Sequence, residues 1–292
     1  MKSLLKVTNV TKIYHDFALK GVNLEIGPGE VVGLVGTNGA GKTTLIKSIL
    51  GHIFINEGTI SLFDQEANRG ATTQMREKIG VVFDTGMLPK AFSLSDVVKL
   101  MKVSYRSWDP YEFKRYYELL NISSFKKTEE LSRGNSMKLS IACALASKPQ
   151  LLLLDEATAG LDPMVREEVL QVLRDYQTET DCGILMCTHI TSDLEKIADR
   201  VICLDEGQIV FSCNREDITD TAGLARCRSV DVEALGEMGY FMSGAMHYEK
   251  AGLGMNVLVP DRFDFKKAFP EIDCDRCTIE DYMRIMLKGE VR

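Results

Sequence analysis

The 292 residues, 45% hydrophobic and 26% charged, have the composition of a globular chain long enough for one domain of ordinary size plus a smaller one. A formal net charge of -7 argues against a general nucleic-acid binder, which needs a clustered basic face to displace counterions from phosphate. No run approaches the roughly 18 apolar residues of a bilayer-spanning helix, the start MKSLLKVTNV has no signal-peptide core, and eight cysteines fall at no framework spacing, so a cytoplasmic chain with reduced, mostly buried thiols is expected.

Strand-like runs come first along the chain: LLKVTNV, FALKGVNLEI, a turn at GPGE, and VVGLVG from 31 to 36. VVGLVG leads into TNGAGKTTLIKSIL, where the apolar period becomes helical after the glycines, which predicts a strand, a loop and a helix. IGVVFD, 79 to 84, is another short buried strand. From about 88 to 150 the pattern is helical and reads as an inserted subdomain. It includes LSDVVKLM and a helix opening at DPYEFKRYYELL, where Asp109 can cap, Pro110 suits the first position and Glu112 stands three residues after the cap.

LLLLDE, 151 to 156, and GILMCTH, 183 to 189, return to buried strands around a helix from Pro163 to about Thr178. This succession implies a largely parallel, covered sheet. RVICLDEGQIVF closes the first domain, 1–212, as a hairpin turning at Gly207. Residues 213–292 read as a small accessory domain, with a strand at MNVLVP and a last helix EDYMRIML opened by Thr278 and Asp281 as a capping box. Cys274 and Cys277 form a CxxC, half of a typical structural zinc site, and read more simply as two helix-flanking residues.

The chemistry is most explicit at GTNGAGKTT, residues 36 to 44, which fits GxxxxGK[ST] with a strand before it and a helix after it. Gly36, Gly39 and Gly41 permit a backbone path on which the amides of Thr37, Asn38, Ala40 and Thr44 can face a phosphate, and the helix N-terminus adds unpaired N–H groups and a favourable dipole. Lys42 should reach the beta and gamma phosphates, and Thr43 should offer its hydroxyl to magnesium, so ATP and Mg2+ are the expected ligands. Phosphoryl transfer also needs a second metal anchor and a group that directs water. LLLLDE supplies both on a strand end: Asp155 for the metal and Glu156 for the water. Without the phosphate loop, that acidic pair would read as a surface turn. His189 ends another apolar strand, where ligands collect in α/β folds, though a lone histidine there is also an ordinary structural side chain.

The ordered motifs GTNGAGKTT, LSRGN at 131–135, LLLLDE, AGLD and His189 resemble those of the ATPase subunits of ATP-binding-cassette transporters over about residues 4–211. The tail resembles extensions of bacterial export-type members, so export is the direction this resemblance implies. It further implies a P-loop NTPase cassette with an antiparallel edge sheet, and a head-to-tail dimer in which Ser132 and Gly134 of one subunit close over the gamma phosphate held by the other. Taken alone, LSRGN reads equally as a helix cap. Tyr14 resembles the aromatic that stacks on adenine, and also fits simple packing at a sheet edge. Asp162 resembles the aspartate that links the two sites and, before Pro163, makes a good N-cap.

Four positions depart from the family pattern: Arg133 where glycine is frequent, Asn135 for glutamine, Ala157 for proline, and Asp84 for the glutamine that touches magnesium and senses the membrane subunit. Asp84 is expected near magnesium or its water shell, the alternative being a polar strand terminus, and the adjacent TGMLPKAFSLSDV is a candidate contact with a membrane partner. The resemblance implies an ATPase at the inner face of the membrane, dimeric with itself or a related ATPase, and driving a separately encoded multispanning permease. Two other readings stay open: a non-transport cassette switching on DNA or ribosomes, and a nucleotide-binding regulatory module. The first lacks its long coiled coils and second cassette here, and the second is disfavoured by Glu156.

Overall fold

Two kinds of strand are written into this chain, and they build separate sheets. Strands with alternating burial can leave one face to water, whereas strands buried on both faces need cover on each side. The computed structural model describes residues 3–68, 70–84, 88–237 and 246–291. In chain order the elements begin β1 (Leu5–Ile13), β2 (Ala18–Ile26), β3 (Val31–Val35), α1 (Lys42–Ile49), β4 (Glu57–Leu62), β5 (Gln65–Glu66), α2 (Thr73–Arg76) and β6 (Ile79–Phe83). They continue α3 (Leu94–Ser104), α4 (Pro110–Leu119), α5 (Arg133–Leu145), β7 (Leu151–Asp155), α6 (Pro163–Thr180) and β8 (Gly183–Cys187).

The half-buried strands form the antiparallel sheet β2-β1-β4-β5, with Leu5 opposite both Ile26 and Leu62. Every residue of β3, β7 and β8 is buried, and these strands lie parallel in the order β3-β8-β7-β6. The helical region between β6 and β7 starts each helix with a side-chain cap. Ser93 accepts from the Asp96 amide at 3.3 Å, Asp109 from Tyr111 at 2.8 Å and Ser132 from Asn135 at 3.3 Å. The caps fix where α3, α4 and α5 begin. Helix α5 is buried from Met137 to Leu145 and packs on α4, β6 and α6, while Trp108 fastens the start of α4 by donating to the Cys143 carbonyl at 3.2 Å. The cassette with an antiparallel edge sheet, an inserted helical region and a small C-terminal part is thus as the sequence predicts.

The chain divides into two compact units, one of Met1–Ile190 with Leu204–Ile209, the other of Thr191–Cys203 with Val210–Arg292. The second contains α7 (Thr191–Ile197) and most of the strands β9 (Arg200–Asp205) and β10 (Gln208–Asn214), whose tip belongs to the first. It continues β11 (Gly223–Cys227), α8 (Ser229–Glu237), β12 (His247–Ala251), β13 (Gly254–Val259), α9 (Arg262–Ala268), β14 (Cys274–Arg276), α10 (Ile279–Lys288) and β15 (Glu290–Val291). The strands from β11 onward make an antiparallel sheet in the order β14-β11-β13-β12-β15. One face packs with Val232, Leu235 and Phe265 and the other with Ile285, so the sheet is covered on both sides.

Of the few elements expected beyond 213, MNVLVP supplies all of β13 but Gly254 and ends one residue past it at Pro260, and Thr278 caps α10 by accepting from the Asp281 amide at 3.0 Å. All eight cysteines are free thiols. Cys274 packs toward one face of this sheet and Cys277 toward the other, so the CxxC spacing separates the two rather than pairing them.

The tip of the β9–β10 hairpin matters to the first unit because the chain passes closest there. Gly207 has φ of 79°, its amide donates to the Ala40 carbonyl at 3.1 Å, and its carbonyl accepts from the Lys20 amide at 2.8 Å. A Cβ at this position would stand 1.8 Å from the Ala18 carbonyl oxygen. Gly207→Ala is therefore expected to cost about 3 kcal/mol, combining left-handed backbone strain with a clash against main chain. A urea denaturation curve with an unshifted midpoint would contradict this account.

Candidate functional site

The register of the parallel strands decides where functional side chains emerge. Leu34 lies opposite Cys187, Cys187 opposite Asp155, and Asp155 opposite Phe83, so the C-terminal ends of β3, β8, β7 and β6 form one row. Chain leaving these ends carries, in turn, the loop 36–44, His189, the pair Asp155–Glu156, and Asp84. Polar groups gather here because the buried strands leave them nowhere else to go, and strand ends of parallel sheets are where ligands bind.

The loop opens α1 at Gly41, which has φ of 112° and supplies no side-chain cap. The first amides of the helix are thereby left for a ligand. A Cβ on Gly41 would lie 2.6 Å from Leu19 Cδ2 and 2.8 Å from Phe17 Cζ, so a glycine is required for the loop to pass over β2. Lys42 is only 7% exposed, and its Nζ donates to the carbonyls of Gly36 at 2.7 Å and Thr37 at 3.2 Å. Its ammonium is thus held at the phosphate loop itself. Residues Asn38, Gly39, Ala40, Gly41, Lys42, Thr43 and Thr44 line a cavity of 270 Å³ together with Phe17, Asp155 and Glu156.

The Thr43 hydroxyl donates to Asp155 Oδ2 at 2.9 Å. Asp155 is 6% exposed, and its other oxygen, Oδ1, is buried with no hydrogen-bond partner. Burial pushes this carboxyl above the usual carboxylate range, against the opposing bond from Thr43 and with further help from the charge of Glu156. An orphaned carboxylate oxygen beside a hydroxyl whose proton is already directed away is a set of hard oxygen donors, and it fits magnesium. Thr43 and Asp155 would hold it.

Glu156 adopts φ of 55°, a left-handed conformation uncommon for a residue with a side chain. The twist is supported by its amide, which donates to the Cys187 carbonyl at 2.9 Å, and it brings Glu156 Oε2 to 2.7 Å from His189 Nδ1. The carboxylate at the end of β7 and the histidine beyond β8 therefore meet at the rim of the site.

A second cavity, of 770 Å³, shares Phe17, Asn38, Gly39 and Ala40 with the first and reaches Tyr14 and Asp205. Tyr14 is 41% exposed, with its ring centroid 6.4 Å from that of Phe17. Sequence reasoning missed Phe17, although an aromatic so near Tyr14 in the turn between β1 and β2 was an available signal. It also missed Asp205, which accepts from the Thr37 hydroxyl at 2.6 Å across 168 positions of sequence, a pairing without any local signal.

Five expected residues line neither cavity: Gly36, whose carbonyl holds Lys42, His189, which meets Glu156, and Ser132, Gly134 and Asp84. Ser132 and Gly134 open α5, and Ser132 Oγ also accepts from Asn135 Nδ2 at 3.2 Å while Asn135 Oδ1 accepts from the Ser123 amide at 2.9 Å. Asp84 follows β6 and forms an ion pair with Arg133. Of the adjoining segment TGMLPKAFSLSDV, residues 85–87 lie outside the described residues.

A family model described as ABC transporter matches residues 19–159. The phosphonates import ATP-binding protein PhnC 2 of Haloarcula marismortui is 32% identical over 75% of this chain and 88% of its own length. The methionine import ATP-binding protein MetN of Clostridioides difficile is 31% identical over 76% of this chain and 73% of its own. A dimeric ATP-binding cassette solved in a post-hydrolysis state with ADP and Pi superposes with a TM-score of 0.64 at 27% identity, covering 72% of this chain and 98% of that one.

These relatives correct one expectation. The assignment to bacterial export-type members fails, because PhnC 2 and MetN are import proteins. The physical reason is that the motifs compared all belong to nucleotide chemistry, which is the same for either direction of transport.

The raised pKa of Asp155 has a sign that can be tested. A folded-state pKa above the unfolded value means that stability is fully present below the unfolded pKa and is lost as pH rises through the folded one. Asp155→Asn is therefore expected to raise the melting temperature of the nucleotide-free protein at neutral pH, with the advantage vanishing below the carboxylate range, and to remove the added stabilisation by magnesium. Calorimetric melts across pH check it; equal melting temperatures at pH 7 would contradict a buried, penalised carboxylate.

Proposed function

We propose a residue-by-residue mechanism for this chain, which belongs to the ABC transporter family of ATP-binding subunits: it is a magnesium-dependent ATPase that binds and hydrolyses ATP and powers a transporter by dimerising. The observation that supports the mechanism most directly is the row of strand ends, where the phosphate loop, the orphaned Asp155 oxygen and Glu156 line one cavity.

In this mechanism the amides of residues 36–44 receive the phosphate chain, with Gly36, Thr37, Asn38, Gly39, Ala40, Gly41 and Thr44 providing the backbone path. Lys42 turns from the carbonyls of Gly36 and Thr37 to the beta and gamma phosphates, a small movement because both lie at the same loop. Tyr14 stacks on the adenine. Thr43 and Asp155 would hold magnesium, and Asp84 would act near it or its water shell. When bound, magnesium neutralises charge developing on the phosphate oxygens. Glu156 orients the attacking water and accepts its proton, and His189, already bonded to Glu156, steadies that carboxylate and faces the gamma phosphate.

The site is completed by a second subunit. Ser132, Gly134 and the first amides of α5 present a hydroxyl and a positive helix end, which complement the gamma phosphate of an opposing subunit in a head-to-tail dimer. The dimer is formed with a second copy or a related ATPase, and its closing and reopening drive a separately encoded multispanning permease from the cytoplasmic face of the membrane. The dimeric cassette with ADP and Pi supports the assembly, and the import proteins support a membrane partner. No helix among the described residues is long and apolar enough to cross a membrane.

Glu156→Gln is expected to bind ATP within about threefold of the unmodified protein, to lower phosphate release by about 100-fold or more, and to accumulate a dimer with MgATP. Ser132→Arg added to it should abolish that dimer, and Lys42→Ala alone should weaken binding and turnover together. Light scattering with calorimetry and phosphate release reads all three. Full turnover in Lys42→Ala would remove the phosphate-loop assignment, and a dimer unaffected by Ser132→Arg would remove the head-to-tail one.

A further inference from the structure

Asp84 and Arg133 are far apart in sequence and each departs from the family pattern, yet in the folded chain they are partners. Arg133 Nη2 donates to Asp84 Oδ1. The guanidinium also lies against Gly160 in the loop between Glu156 and Asp162. A Cβ on Gly160 would meet Arg133 Nη1, Cζ and Nε at 2.8, 2.9 and 3.1 Å, so the arginine fills the space a side chain there would need. One residue of the turn that opens α5 thus touches the end of β6 and the loop after β7 within the same subunit.

Electrostatics gives this contact a purpose. Asp155 and Glu156 already place two carboxylates at the phosphate loop, and a third at Asp84 would add like charge beside a polyanionic ligand. A neutral glutamine at position 84 with a glycine at position 133 carries no such charge; an aspartate with an arginine is neutral as a pair. We propose that Arg133 is a positioning residue for the ATPase reaction: it neutralises and orients Asp84, so that the two departures from the family pattern are one compensating unit. The inference rests on the reading that places Asp84 near magnesium.

Two features favour positioning over plain stability. Both side chains are about half exposed, at 54% for Arg133 and 44% for Asp84, where an ion pair adds little to folding. Nη2 of the guanidinium bonds Asp84 Oδ1 while Nη1, Cζ and Nε of the same planar group lie against Gly160, two contacts that the single ammonium of a lysine cannot make together.

The test is a double-mutant cycle in the full chain with Asp84→Gln, Arg133→Gly and the two combined, and Arg133→Lys as the conservative variant. Calorimetry measures ATP affinity without magnesium, phosphate release measures the magnesium concentration for half-maximal turnover, and melting curves verify folding. Arg133→Gly should weaken magnesium-free ATP binding by about threefold or more and lower the magnesium midpoint, because Asp84 is left unneutralised. Asp84→Gln should shift both quantities the opposite way, the double variant should return both toward the unmodified protein, and Arg133→Lys should fall between.

Shifts of the same sign in the two single variants, or a double variant that stays with either single variant instead of returning toward the unmodified protein, would overturn the pairing while leaving Asp84 near the metal. An unchanged magnesium midpoint in Asp84→Gln would overturn both the pairing and the placement of Asp84. A loss of MgATP-driven dimerisation in Arg133→Gly, with magnesium-free affinity and midpoint unmoved, would instead assign Arg133 to the opposing subunit's phosphate and also overturn the proposal.

Discussion

The hydrogen-bond register of four parallel strands is the constraint on which the rest of the site depends. Because Leu34, Cys187, Asp155 and Phe83 are aligned across β3, β8, β7 and β6, the loop, the acidic pair, His189 and Asp84 begin from one line. A slip of one residue in any of these pairings would carry its group out of that line. The strands can be apolar on both faces only because helices cover the sheet, and that same cover forces polar chemistry to the ends.

The site holds its reactive groups in states that a relaxed chain would avoid. Asp155 is a buried carboxylate with one oxygen lacking a partner, and Glu156 sits in a left-handed backbone conformation. Each carries an energetic penalty that the surrounding core must outweigh. The penalties are useful in opposite ways. The first would be relieved by a cation at Asp155, and the second accompanies the contact of the Glu156 carboxylate with His189. Strain and desolvation are thus concentrated where a ligand can answer them.

The second unit and the direction of transport illustrate what nucleotide-site chemistry does not carry. ATP hydrolysis needs the same groups whichever way a compound moves, which is why motifs around the phosphate could not separate import from export. The five-stranded sheet after β10 is well packed on both faces, with Phe265 on one side and Ile285 on the other, and contributes no residue to the cavities described. Its strands were hard to recognise because β12 and β14 are short and largely polar outward, so they lack the sustained alternation that marks a strand.

By itself the sequence determined whatever depends on neighbours along the chain. The period change after VVGLVG announced strand, loop and helix; four leucines before Asp155 announced a buried strand with acids at its end; Asp109, Ser132 and Thr278 announced helix starts, and each is an observed cap. Only the tertiary structure decided which of these came together. It joined Thr37 to Asp205 and Glu156 to His189, brought Gly207 against Ala40, and paired Asp84 with Arg133. Local pattern fixes hydrogen bonds within a turn or a helix, because their partners lie a few residues apart. Contacts between distant segments are set by strand register and by where a backbone can pass without a side chain, and neither is expressed in any short stretch of residues.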